Sequence, residues 1–596
     1  MFVCCVLILI SAIYTLKALY NMYSNTKQYK IREEIPVDME QIRKLFIMPD
    51  SADKFNEFGN ELLDLIHNFF AEKGGIHSSI LLPDLAKLFS KTDVPDAPHL
   101  LKNVLYEIKT NVISHSVKVG NPYYIGHMTS AVPYFVVLLE MIIAALNQNQ
   151  VKIESAKAST FLEKQFLAWM HRIVFNRSPK FYKNNIQSRE TVLGNLTLDG
   201  TMANLTALLV ARNIAFGPDG KFPGIREAGL FEAYKYYGVD RAVILVSKRG
   251  HYSIDKVGRS IGIGNQNVVK IPVDSKNKID LIKLEKTIME IEAANKTGGP
   301  KTKIIAMVGI AGTTETGNID NLKEMGLIAK KYKIFFHVDA AWGGSVLLAD
   351  EYRYLFAGIE NADSVTVDAH KLLYAPPSLG MVFFRNGTEL RAIQHYSNYI
   401  IRPDSMDLGR HSLEGSRPFA SLKPWATIKI FGRDGFKLIF DHAFQLTSVL
   451  RGLIEMHCNF EAMNQPELFI FNYRFIPKKV KEKLNKLMIK LENEELNDPK
   501  NDLIKVKYLR KIEQINMALN DLNTELHKAI REEDDSFVSR TMLDCPQYFY
   551  QYCVVLRAIT INPLTTPDIL QEIIEQQNKL GVKIYKSGFE SRFNKL

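Results

Sequence analysis

Between residues 190 and 390, short β-branched runs alternate with stretches whose apolar residues recur every three or four positions. The runs at 191–197, 242–247, 268–271, 304–308, 334–338, 364–367 and 381–384 read as strands, and the stretches between them as helices. That alternation predicts an α/β fold, a mostly parallel seven-stranded sheet with flanking helices on both faces. Upstream, residues 33–119 carry a helical pattern, clearest where Phe55, Phe58, Leu62, Leu65 and Ile66 share one face. Residues 121–128 hold Pro122 and Gly126 and read as a loop, followed by helices at 132–146 and 155–175. After about residue 430 the rhythm changes to a helix at 431–457, a β-rich stretch at 468–475, a long charged helical region at 478–533, a strand at 552–561 and a closing helix from Pro567. The expected division is an apolar segment 1–32, a helical region 33–120, a large domain 121–430 and a small C-terminal α+β domain 431–596.

With 596 residues and 46% hydrophobic content, the chain can bury a large core. Cys4, Cys5, Cys458, Cys545 and Cys553 form no Cys-x-x-Cys pair and no disulfide framework, which favours a reducing compartment, the cytoplasm. The net charge of +10 is modest for this length. Basic residues at 478–490 and 505–510 are interleaved with acidic ones, the pattern of a solvated helix face and not of a nucleic-acid patch. Such charge argues that this helical region is an exposed elaboration. No zinc spacing, Walker loop or dinucleotide fingerprint is present. From Phe2 to Leu16 the chain is almost wholly apolar, short of the roughly 20 residues that span a bilayer. Snorkelling of Lys17 extends the run to residues 2–20, a candidate anchor that Lys17, Lys27, Lys30 and Arg32 would orient with the rest of the chain in the cytoplasm. A buried or interfacial helix is the alternative reading; a secretory signal lacks its basic start and cleavage site.

Two strand ends carry candidate chemistry. One run, Phe336-His337-Val338-Asp339-Ala340-Ala341-Trp342, ends its strand on an aspartate; the other, Ser364-Val365-Thr366-Val367-Asp368-Ala369-His370-Lys371, ends on a lysine. Either alone is ordinarily a solvated strand end. Together they match the needs of pyridoxal 5'-phosphate (PLP), an amine for a Schiff base and a carboxylate that keeps the pyridine nitrogen protonated. Leu198-Asp199-Gly200-Thr201-Met202 marks a strand-to-helix turn whose free N–H groups and Thr201 hydroxyl would hold a phosphate, with His370 as a further donor. By itself this is an ordinary helix cap. His251, after the 242–247 run, is placed to stack on the ring; Thr313 could support it and Ala341 is small enough to let it lie flat.

At this point the sequence resembles the group II PLP-dependent amino-acid decarboxylases, which include glutamate, aromatic L-amino-acid and tyrosine decarboxylases. The resemblance covers about residues 60–590. Ile125-Gly126-His127-Met128-Thr129-Ser130, Ala145-Leu146-Asn147-Gln148-Asn149, Ser412-Leu413-Glu414-Gly415-Ser416-Arg417-Pro418, Tyr399-Ile400-Ile401-Arg402, Leu556-Arg557-Ala558 and Asn562-Pro563-Leu564-Thr565-Thr566 look most like the bacterial PLP-dependent aspartate 1-decarboxylase branch. It implies the PLP-dependent transferase fold type I and a homodimer with a shared active site. Lys371 would be the Schiff-base lysine, Asp339 the partner of the ring nitrogen, His251 the stacking residue, and Thr201 and His370 phosphate ligands. Tyr399 would be a proton donor on a mobile loop reaching the other subunit's site, and Arg557 the anchor of the substrate α-carboxylate. Arg402 and Arg417 could meet a second carboxylate. The implied reaction is α-decarboxylation of an L-amino acid: aspartate first, then glutamate or an aromatic amino acid. Another PLP lyase, an aminotransferase or a non-catalytic PLP-fold protein are the remaining readings. The family's phosphate turn reads Thr-Ser-Gly-Gly-Thr, whereas here Asp199 stands in it, a charge that would repel a phosphate if both faced one pocket.

Overall fold

The structure, a computed structural model, describes residues 39–47, 54–72, 74–397, 401–402, 405–492 and 502–596. The apolar segment 2–20 and Tyr399 lie outside the described residues. The chain forms two compact units, Met1–Lys118 and Val119–Leu596. The first carries helices Met39–Arg43, Phe55–Ala71, Leu82–Leu88 and Leu101–Glu107. Its loop is closed by the Lys118 N–H donating to Ile76 O at 2.7 Å, beside a Lys118–Glu72 ion pair of 2.9 Å. No helix among the described residues is long and apolar enough to cross a membrane.

The second unit is built on a seven-stranded sheet. Its strands are β1 (Gly194–Thr197), β2 (Arg241–Ser247), β3 (Val268–Ile271), β4 (Thr302–Ile310), β5 (Phe336–Asp339), β6 (Ser364–Asp368) and β7 (Gly380–Phe384), in the order β1-β7-β6-β5-β4-β2-β3. Only β7 runs against its neighbours. All seven runs read from sequence are present, each within three residues of its expected end. The continuous apolar runs follow from burial on both faces: Val243 and Leu245 pack into one core, Ile244 and Val246 into another on the opposite side. Helix α1 (Ala158–Phe175) lines the first core through Phe166, Leu167, Met170 and Val174. Helix α2 (Gly200–Ala215) covers the other side and begins where β1 ends.

Downstream, α3 (Leu422–Met456) breaks at Gly432, whose φ of 60° with ψ of −176° is open to glycine at little cost. A four-stranded antiparallel sheet follows, ordered β10-β11-β9-β8, from β8 (Phe460–Ala462), β9 (Ile470–Phe475), β10 (Ser539–Cys545) and β11 (Gln551–Ile559). Helices α4 (Lys478–Glu492), α5 (Asp502–Glu533) and α6 (Pro567–Ile584) accompany it. The expectation of an exposed elaboration at 478–533 is corrected here. Ile512, Ile515, Leu519, Leu522, Leu526 and Ile530 of α5 are fully buried at helical spacing in the core of this sheet. The charges occupy the outward faces.

Three buried histidines make stability depend on acid. His171 accepts from the Tyr182 hydroxyl and donates to Phe384 O, both at 2.9 Å. Burial pushes His171, His337 and His411 down to about 4 from 6.5. Their folded pKa lies below the unfolded one, so their contribution is complete above pH 6.5 and is lost as pH falls toward 4. Between those limits the unfolded chain binds more protons, giving a slope of up to about 4 kcal/mol per pH unit for the three. Urea midpoints measured from pH 7 to pH 5 should fall steeply, and His171→Gln should remove about a third of that slope; an unaltered slope would take His171 out of the account.

Candidate active site

The carboxyl ends of β2, β4, β5 and β6 converge, as expected for ligand binding in open parallel sheets. They enclose a cavity of about 150 Å³ lined by Asp199, Thr201, His251, Asp339, His370 and Lys371, among others. Asp339 is the last residue of β5 and stands opposite Thr366 on neighbouring β6. Lys371 lies in the single helical turn Ala369–Leu372 that follows β6. Its Nζ is 3.0 Å from Asp368 Oδ2, while Asp368 Oδ1 is buried without a partner. Gly200 is required by close approach: a Cβ there would come within 2.8 Å of Asp368 Oδ2 and 3.2 Å of Ala341 Cβ.

His251 follows β2 through the turn Lys248-Arg249-Gly250, and its Nδ1 accepts from the Ser253 N–H at 3.3 Å. Burial lowers its pKa, opposed by the charge of Asp339 and aided by Lys371, so the ring stands neutral among the charged groups. His370 turns Nδ1 toward Leu379 O at 2.9 Å and lies 3.8 Å from Asp368 through Nε2. Arg557, on β11, donates to Thr314 O at 2.6 Å and Ser539 Oγ at 3.1 Å, and Thr314 lines the cavity. Its Nε is buried without a partner. Burial lowers its pKa to about 10, which leaves a charged guanidinium at neutral pH and no ion pair among the described residues.

The cavity thus gathers Lys371, Asp339, His251, Thr201, His370 and Ala341. Three expected contacts, Met202, Thr313 and Arg557, are absent from its lining, and Arg557 reaches it only through Thr314. Met202 spends its N–H on the Asp199 carboxylate at 2.9 Å, because Asp199 caps α2. Thr313 is fully buried, its hydroxyl paired with Thr316 Oγ1 at 2.7 Å, and Thr314 takes the lining position. Arg417 is committed to Glu163, with Nη1 2.8 Å from Oε2 in a buried bidentate pair, and exposed Arg402 lies 3.6 Å from Glu154. Arg417 is therefore not free for a substrate. Sequence reading missed Asn204 and Asp368, both of which line the cavity. The only signal for Asp368 was its place three residues before Lys371.

The residues fit PLP. An amine and a carboxylate share one cleft, with the first residues of α2 in the same lining and an orphaned acidic oxygen on Asp368 beside the amine. Such a cleft at the carboxyl edge of this sheet defines a class, the fold type I PLP-dependent enzymes. Residues 83–476 match the model of the pyridoxal-dependent decarboxylase conserved domain. An aspartate 1-decarboxylase of Aliivibrio fischeri is 38% identical over 542 residues, which cover 91% of this chain and 94% of that protein. An aromatic-L-amino-acid decarboxylase of Bacillus atrophaeus is 22% identical over 541 residues, covering 90% and 97%. Among solved structures, the glutamate decarboxylase domain of a diaminobutyrate-pyruvate transaminase and L-2,4-diaminobutyrate decarboxylase from Vibrio parahaemolyticus superposes with a TM-score of 0.72 at 22% identity, covering 92% of this chain and all of that one. This chain belongs to the pyridoxal-dependent decarboxylase family and is a PLP-dependent amino-acid carboxy-lyase.

Proposed function

We propose that the substrate is L-aspartate, converted to β-alanine and CO2. The observation that carries this reading is the 38% identity along nearly the whole of an aspartate 1-decarboxylase. In this reading Lys371 holds the cofactor covalently, Asp339 faces its ring nitrogen, and Thr201 and His370 lie at its phosphate. PLP supplies the electron sink for the carbon that loses CO2. Arg557 fits the substrate α-carboxylate: it is a buried cation with an unpartnered N–H and no ion pair among the described residues. A guanidinium fork there would fix the bond to be broken at right angles to the ring. His251 covers one ring face and keeps water from it.

The same reading makes the enzyme a cytoplasmic homodimer, with residues 2–20 as a candidate tether and Tyr399 donating the proton to Cα across the subunit boundary. Tyr399→Phe should retain bound cofactor and lose amine product by roughly 10²–10⁴-fold, the range of a missing general acid. Undiminished product would remove that tyrosine from the reaction. The substrate is tested by incubating PLP-loaded enzyme with carboxyl-labelled aspartate, glutamate, cysteine sulfinate, tyrosine and DOPA and counting released CO2. Aspartate should lead; turnover of tyrosine or DOPA alone would overturn the proposal.

A further inference from the structure

Asp339 sits at the end of a buried chain of hydrogen bonds. Its Oδ2 accepts from Asn204 Nδ2 at 2.9 Å, and its Oδ1 accepts from the Ala341 N–H at 3.2 Å. The second N–H hydrogen of Asn204 goes to Ser253 Oγ at 3.1 Å. Asn204 Oδ1 can only accept, and it lies 2.9 Å from His337 Nε2. That nitrogen must therefore carry the proton. His337 Nδ1, 2.8 Å from Ser364 Oγ, is left to accept from the serine hydroxyl. His337 and Ser364 are cross-strand partners on β5 and β6, and Asn204 lies on α2. None of the three is more than 1% exposed.

We propose that Asn204 and His337 are positioning residues for the reaction: a one-way, uncharged chain from Ser364 through His337 and Asn204 aims the Asp339 carboxylate at the cofactor ring nitrogen without neutralising it. The inference rests on the reading of Asp339 given above. The donor sense of every link is fixed by Asn204, whose two hydrogens are both spent. Reversing a link would need an imidazolium, and complete burial, which holds His337 at about 4, opposes that. An uncharged support is what the position requires. An arginine or imidazolium against Asp339 would draw on the negative charge that the ring nitrogen is to meet. Three elements reach one carboxylate through this chain, so its direction is tied to the packing of α2 on β5 and β6.

The test compares two ligands on full-length apoenzyme: PLP and its 1-deaza analogue, in which the ring nitrogen is a C–H. Wild type should bind PLP at least about tenfold more tightly, the worth of a hydrogen bond to a charged group. Asn204→Leu and His337→Leu should each shrink that preference by about tenfold, with affinity for the deaza analogue nearly unchanged. His337→Gln, which keeps an N–H toward Asn204, should restore most of it. Ser364→Ala, the mildest change, should lower it by about two- to threefold and serves where a leucine variant does not fold. Equal losses for both ligands would mean a purely structural role and would overturn the proposal. Lack of preference in wild type would remove the role given to Asp339 and this inference with it. A preference retained in the variants would remove the inference alone.

Discussion

Lys371→Ala should lose CO2 release on the order of 10⁴-fold or more, the scale reached when the group that bonds covalently in a reaction is deleted. The Lys371 side chain is mostly buried, and Asp368 lies 3.0 Å from its amine in the cavity lining. An alanine leaves nothing for an aldehyde to condense with, and leaves the buried carboxylate of Asp368 without its counter-charge. Borohydride should fix PLP to the wild-type chain at this residue and fail to fix it to the variant, as read by mass spectrometry of the digested protein. Lys371→Arg keeps the charge beside Asp368 without the nucleophile, and it should be equally inactive. Cofactor fixed elsewhere, or CO2 release that survives either change, would displace Lys371 from its role.

Asp339→Asn carries the second large effect. The asparagine can occupy the same space, but it offers the ring nitrogen no negative charge, and only its amide oxygen could still accept from Asn204. A hydrogen bond to a charged group contributes about 1.5–3 kcal/mol, so affinity for PLP should fall roughly ten- to hundredfold. Turnover should fall further, by about 10²–10³-fold at saturating cofactor, because the charge acts on the reaction as well as on binding. Activity regained in full at high PLP would confine Asp339 to binding. Unchanged affinity would separate it from the ring altogether.

The sheet was legible because its strands are buried on both faces and written as unbroken β-branched runs. The strands missed were of another kind. In β10, Ser539-Arg540-Thr541-Met542-Leu543-Asp544-Cys545 mixes polar and apolar residues without regular alternation, and β8 has only three residues. In α5 the apolar stripe was hidden by the number of charges around it, although Ile512, Ile515, Leu519 and Leu522 already had helical spacing. In the site, residues at strand ends could be found one at a time. Asn204 and His337 could not, since their meaning arises where α2 meets β5. Thr313 and Thr314 differ by one step along a turn, and only the turn's internal bond from Thr313 to Thr316 decides which faces the cavity. Whether Arg417 meets a substrate or is structural could not be read from the sequence, because its partner, Glu163, is 254 positions away.

The stretch matching the family model stops at residue 476, one residue past the end of β9. A fragment cut at that point would keep Lys371 and Asp339 yet strand β9 without β11, the neighbour that pairs with it from Leu556 to Ile559. Tyr473 and Phe475, fully enclosed in the intact fold, would face water along a bare sheet edge. Recombinant production of such a trimmed version should therefore yield insoluble material, and any soluble portion would lack Arg557, the guanidinium proposed to grip the incoming acid. Engineers seeking a smaller catalyst must keep the whole tail, charged helix included.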